Sequence, residues 1–166
     1  WPLGHVMQME ERLRLLRLAD EYDSWIIEDD YDSEYRFRGN PLPSLQGLDR
    51  SGRVIYVGTF AKTLFPTLRI GFIVVPKGHI EGFEHAVSHT GQYPSLLLQV
   101  VLADFITHGH FGKHLRRMRR LYAARRQKFV AQCRTQLDGW LHLEANDTGI
   151  QIPGLFKRAM DDRAFV

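Results

Sequence analysis

Two short apolar runs constrain this chain more than any other feature. Val54 to Gly58 reads V-I-Y-V-G, and Ile70 to Val75 reads I-G-F-I-V-V before Pro76 closes it. Both are β-branched or aromatic and lack the polar alternation of a half-exposed strand, so they predict strands buried on two faces, as in a sheet covered by helices. Eleven residues, Thr59 to Arg69, separate them.

The flanking sequence supplies the helices. From Met9 to Tyr22, Leu13, Leu15, Leu16 and Ala19 recur at three- and four-residue spacing among charged residues, which predicts an amphipathic helix. A short strand, Trp25 to Glu28, follows it. Helix periodicity returns over Pro94 to Thr107 and, past the break at Gly109, over Phe111 to Gln136. Gly39 to Gly52, with Pro41 and Pro43, has the chemistry of a loop. Trp140 to Glu144 and Gly149 to Ile152 alternate apolar and polar residues, as short half-exposed strands do. The order predicts an α/β core followed by the start of a separate α+β layer.

Composition excludes several classes. Hydrophobic residues make up 44% and charged residues 25% of the 166, the proportions of a globular protein. A net charge of +3 is too mild to argue for nucleic acid or membrane. Cys133 is the only cysteine, so neither an intrachain disulfide nor a cysteine-based zinc cluster can form. Apolar runs such as Leu96 to Ala103 fall short of the ~20 residues of a membrane helix, and the expected location is the cytoplasm. The chain opens on Trp1-Pro2-Leu3-Gly4 and closes on Asp161 to Val166, which starts like a capped helix and stops after one turn. These ends read as those of a fragment.

Two constellations carry chemistry. Glu28, Asp29, Asp30, Asp32 and Glu34 place five carboxylates within seven positions at the end of an apolar strand. Such crowding fits a metal site, a carboxylate paired with a protonated organic base, or a solvated acidic loop. The second constellation is T-F-A-K-T-L, Thr59 to Leu64, directly after a predicted buried strand, with Arg69 seven residues beyond Lys62. A guanidinium and a hydroxyl suit a phosphorylated cofactor, and a lysine between apolar strands suits imine chemistry.

The run I-I-E-D-D-Y-D-S-E-Y from Ile26 to Tyr35, with Y-V-G-T-F-A-K-T-L-F-P-T-L-R-I-G-F from Tyr56 to Phe72, resembles the pyridoxal 5'-phosphate (PLP) domain of MocR-type transcriptional regulators. That family fuses a GntR-like winged helix-turn-helix to an aminotransferase-like domain of fold-type I. S-L-L-L-Q at Ser95 to Gln99 and the basic helix from His114 to Arg126 extend the likeness. The resemblance implies part of a fold-type I large domain over 1–112, then a linking helix and the beginning of a small domain over 113–166. It also implies roles: Lys62 forms the imine with PLP, Asp29 pairs with the pyridine nitrogen, Tyr31 reaches the phenolic oxygen, and Thr59 and Arg69 take the phosphate.

Asp30, Asp32 and Glu34 are then expected to be structural or solvated, and Tyr56 and Phe60 to pack in the core. His108 and His110 flank a helix break, where capping is the simpler role, and no metal is expected. The basic stretch Lys113 to Lys128 carries Leu115, Met118, Tyr122 and Phe129 on one stripe, so its arginines are expected to be solvated or paired rather than bound to DNA.

The segments that complete an aminotransferase-like site and the winged helix-turn-helix are not in this sequence. Ile150-Gln151-Ile152 also departs from the family's apolar-His-apolar pattern. Two functions remain open: an effector module whose PLP and amine ligand shift conformation, or a piece of an aminotransferase acting between an amino acid and a 2-oxo acid. Either is expected to be inactive as this piece alone and to be a homodimer at full length, with DNA reached only through the winged domain.

Overall fold

The computed structural model describes residues 5–91, 93–144 and 147–158; the helix start expected at Asp161 lies outside them. The chain divides into two compact units. One holds Met7–Ser33 and Asn40–Lys113, and the other gathers Glu34–Gly39 with the chain from His114 onward and the residues before Met7.

In the first unit, α1 (Met9–Glu21) leads into β1 (Ile26–Asp30). The helix starts with a reciprocal cap in which the Gln8 amide donates to Glu11 Oε2 at 2.8 Å. Its apolar stripe closes the main core, where Ala19, Ile26, Leu45 and Val54 are buried and Leu15 and Leu16 pack against them. β1 runs parallel to β2 (Val54–Thr59), and β2 runs antiparallel to β3 (Gly71–Val74), in the order β1-β2-β3. A second cluster joins Leu68, Ile70 and Leu102 with Phe60 and Leu64. α3 (Ile80–Thr90) and α4 (Leu96–Thr107) complete this unit.

Several expectations need correction. The strand expected at Trp25 to Glu28 spans Ile26–Asp30, so the first three acids of the cluster lie within it. The run Ile70 to Val75 is not buried on two faces, because all four residues of β3 are exposed; β3 is an edge strand, and among the described residues nothing covers its faces fully. The loop from Gly39 to Gly52 contains a one-turn helix, α2 (Leu45–Leu48). α3 was not anticipated, although Ile80, Phe83 and Val87 recur at three- and four-residue spacing along it; none of its residues is buried.

α5 (His110–Gln136) belongs to the second unit from His114 onward, and there β4 (Leu141–Leu143) pairs antiparallel with β5 (Gly154–Phe156). No strand forms at Gly149 to Ile152. Instead Thr148 makes a single bridge with Arg36, and pairing resumes only at Gly154. Pro153, which cannot donate to a ladder, stands between the two.

Candidate functional site

Strand parity sorts the acidic cluster. Successive side chains of a strand point to opposite faces, and the burial of β1 alternates accordingly, with Ile26 buried, Glu28 and Asp30 half-buried, and Ile27 and Asp29 exposed. Glu28 and Asp30 therefore share the face of Ile26, where α1 and α2 pack. Glu28 accepts from the Leu45 and Gln46 amides at 2.8 and 3.0 Å, capping α2, and meets Arg12 Nη1 at 3.4 Å. Asp30 accepts from the Tyr56 hydroxyl at 2.9 Å, from the Ser33 amide at 3.0 Å, and from the Ser33 hydroxyl. Both carboxylates are used by the fold. Asp29 alone among these three faces the open side.

On that open face Asp29 lies opposite Val57, and Thr59 follows two residues along β2. The two levels are separated by about 6–7 Å of strand rise, the scale of a pyridine ring with its phosphate arm. Tyr31 does not continue the strand; it stands half-buried in the bend just past Asp30.

Local packing turns the remaining candidates outward. Thr59 Oγ1 accepts from the Ala61 amide at 3.1 Å and closes the turn that follows β2. Thr63 is 1% exposed and its hydroxyl donates to the Phe60 carbonyl at 3.3 Å, so Thr63 anchors the turn inward and the adjacent Lys62 is exposed. Pro66 opens a short 3-10 turn, Pro66–Leu68, and Arg69 caps it in the left-handed region at φ 51°. Leu68 and Ile70 are buried on either side of Arg69, which leaves its guanidinium exposed.

The donor set meets the demands of a PLP-type group. Neither the Asp29 carboxylate nor the Arg69 guanidinium has a side-chain partner among the described residues. An unpaired anion, an unpaired cation, a hydroxyl and a lysine thus bracket one end of the β1–β2 pair. Tyr56 and Phe60 fill packing roles as expected, Tyr56 on Asp30 and both rings against Phe72 at 6.0 and 5.3 Å. His108 caps α4, with Nδ1 at 3.0 Å from the Asp104 carbonyl.

The second unit holds a cavity of about 430 Å³ lined by Phe37, Tyr122, Arg126, Phe129, Ile150 and Ile152 among others. Arg126 departs from the solvated or paired state expected of the basic helix. Its guanidinium lies over the Phe37 ring at 5.6 Å, one amino nitrogen is buried without a partner among the described residues, and burial lowers its pKa against the opposing charge of Asp147. Sequence reading also missed Tyr35, which is fully buried, with its ring edge-on to Tyr122 at 5.1 Å. Burial, then Tyr122 and Glu34, push its hydroxyl up to about 12, with Arg119 opposing. Its one sequence signal is an aromatic residue standing among charges.

A parallel strand pair followed by a lysine turn is compatible with many α/β folds, and comparison with known proteins narrows it to the PLP-dependent transferase fold. The model of the aminotransferase class I and II family matches residues 2–162, and the chain belongs to that family. Within it the MocR resemblance is borne out: the chain is 64% identical over 162 residues to the "Probable rhizopine catabolism regulatory protein MocR" of Rhizobium meliloti, covering 98% of this chain and 33% of that protein.

Aromatic-amino-acid aminotransferase 1 of Thermococcus litoralis is 36% identical, over 78% of this chain and 31% of its own length. Among solved structures, the Pyrococcus horikoshii kynurenine aminotransferase, determined with PMP, superposes with a TM-score of 0.87 at 32% identity, covering 98% of this chain and 40% of that one. The chain spans about a third of the length of the curated relatives it matches. Family membership and the PMP-bound neighbour imply PLP as the cofactor.

Proposed function

We propose that this chain is the PLP-binding, aminotransferase-like effector portion of a MocR-type transcriptional regulator. The observation that carries the regulator reading is the 64% identity to a MocR protein across 98% of the chain. Residues 1–112 supply part of the large domain, and 113–166 the linking helix and the beginning of the small domain. DNA contact belongs to a winged domain elsewhere in the full polypeptide, which acts as a cytoplasmic homodimer.

PLP supplies an electron-accepting ring to which an amine is attached covalently. Lys62 provides the protein's attaching amine. Asp29, an anion without another side-chain partner among the described residues, would hold the ring nitrogen protonated, because an ionised carboxylate favours a facing cation. Tyr31 donates to the phenolic oxygen, while the Arg69 fork and the Thr59 hydroxyl bind the phosphate. An amine ligand would compete with Lys62 for that attachment, and in a regulator such competition would be read as a change of conformation.

The test is spectroscopic. Mixed with PLP, the chain is expected to develop visible absorption, and borohydride followed by peptide mapping is expected to find the label on Lys62. Lys62→Ala should abolish both, and a label on another lysine removes the assignment. The likeness to the Thermococcus aminotransferase supports a second reading, an amino-transferring enzyme. Production of a 2-oxo acid from an added amino acid by the full-length protein would favour it.

A further inference from the structure

We propose that the cavity of the second unit is a binding site for a small carboxylate with an apolar body, held at its charged end by Arg126. Every residue that lines the cavity belongs to that unit. None of them takes part in the PLP site, so binding here requires no PLP.

Helical spacing builds one wall. Tyr122, Arg126 and Phe129 stand four and three residues apart on α5, which places them on one face of the helix. Phe37, Ile150 and Ile152 extend the lining. The volume of about 430 Å³ falls within the range of about 300–1,000 Å³ usual for small-molecule pockets. Phe129 and Ile150 are exposed, which leaves the cavity open to solvent.

Charge enters this lining through arginine. Arg125 is exposed, whereas Arg126 is half-buried. The Phe37 ring lies 5.6 Å from the Arg126 guanidinium. A ring face attracts a cation, but it gives no acceptor to the N–H groups that point outward in the guanidinium plane. Nη2 is buried without a partner, and among the described residues the guanidinium makes neither an ion pair nor a hydrogen bond. Asp147 acts on it only at longer range and makes its own ion pair with Arg38 at 3.8 Å.

A cation held against apolar side chains without an anion is costly, and burial already lowers the Arg126 pKa. A carboxylate presents two acceptors in one plane to the guanidinium fork. Its charge also offsets the enclosed nitrogen, because the guanidinium charge is delocalised over all of its nitrogens. Aromatic and branched walls favour a ring or a branched chain behind that carboxylate. A small anion without such a body gains the ion pair alone, and a neutral molecule of the same shape gains the walls alone.

The probe is hydrocinnamate, titrated by calorimetry into the chain without PLP, beside its neutral counterpart hydrocinnamamide and beside acetate. Hydrocinnamate should saturate with a dissociation constant of about 1 mM or tighter, and the amide and acetate should each bind at least about tenfold more weakly. Arg126→Met keeps the length of the side chain without its charge. It should weaken the probe at least about tenfold without lowering the melting temperature, since no protein anion or acceptor loses a partner. Ile150→Trp narrows the open side and should weaken the probe with Arg126 in place; it decides should Arg126→Met fail to fold. Arg69→Met removes the exposed guanidinium of the first unit and should bind the probe as the parent does. Parent-like binding by folded Arg126→Met, loss of binding in Arg69→Met, an amide as tight as the acid, or no saturation up to about 10 mM would each overturn the proposal.

Discussion

Asp29 and Asp30 are chemically identical neighbours whose fates differ because one bond in a strand reverses the face. Asp30 bonds to Tyr56 and Ser33, whereas Asp29 faces the open side opposite Val57. Asp30→Ala removes a charged acceptor from at least one half-buried hydroxyl and is expected to cost about 1–3 kcal/mol, read as a lower melting temperature. Asp29→Asn should leave the melting temperature unchanged and weaken PLP binding at least about tenfold, a difference of ~1.4 kcal/mol, measured by titrating the absorption.

The reverse pattern would exchange the two roles. The sequence motif was enough to select Asp29, but the reason Asp30 is excluded needed the register, because a period-two alternation cannot be phased until the buried face is known. Tyr35 adds a pH prediction. Its hydroxyl is raised from 10.0 to about 12, so between those values the folded state holds more protons than the unfolded one. Stability is therefore full below pH 10 and is lost as pH rises towards 12. Thermal melts across that window should fall more steeply for the parent than for Tyr35→Phe.

Elements differ in how much of their stability is written locally. α1 carries its own stripe and cap, and α5 its own periodicity, so both were legible to within a residue or two at their ends. α2 has four residues and no stripe; it exists because Glu28 from β1 and Ser44 hold its first amides. A cap supplied by a residue 17 positions away leaves no local signal. Glu28→Ala is accordingly expected to unravel α2 and cost about 1.5–3 kcal/mol, the range for bonds to a charged group, while PLP absorption per folded molecule stays at the parent value. Circular dichroism melts beside the PLP titration separate those effects. β3 was misread for the opposite reason: its apolar run demands cover on both faces, and the described residues leave it at an edge with Ile73 and Val74 exposed.

At the scale of the whole chain the same imbalance recurs in α4. Its sequence L-L-L-Q-V-V-L-A-D-F-I-T is apolar around most of the helix, a pattern that belongs to helices buried on every side. Only Leu102 is buried, while Leu96 is 74% exposed and Leu97, Val100 and Val101 are exposed as well. Ile27 and Ile73 are exposed on the sheet as well, which is more than the singly scattered apolar side chains that a globular surface ordinarily shows. No helix among the described residues is long and apolar enough to cross a membrane, so this surface is not a membrane span. The chain by itself should therefore bind an environment-sensitive apolar dye and associate reversibly as its concentration rises. Leu96→Lys combined with Val100→Lys should reduce both dye fluorescence and light scattering. Because both side chains already face solvent, the melting temperature should not fall. A double variant that unfolds while keeping its dye signal would mean that α4 is packed where the structure shows it open.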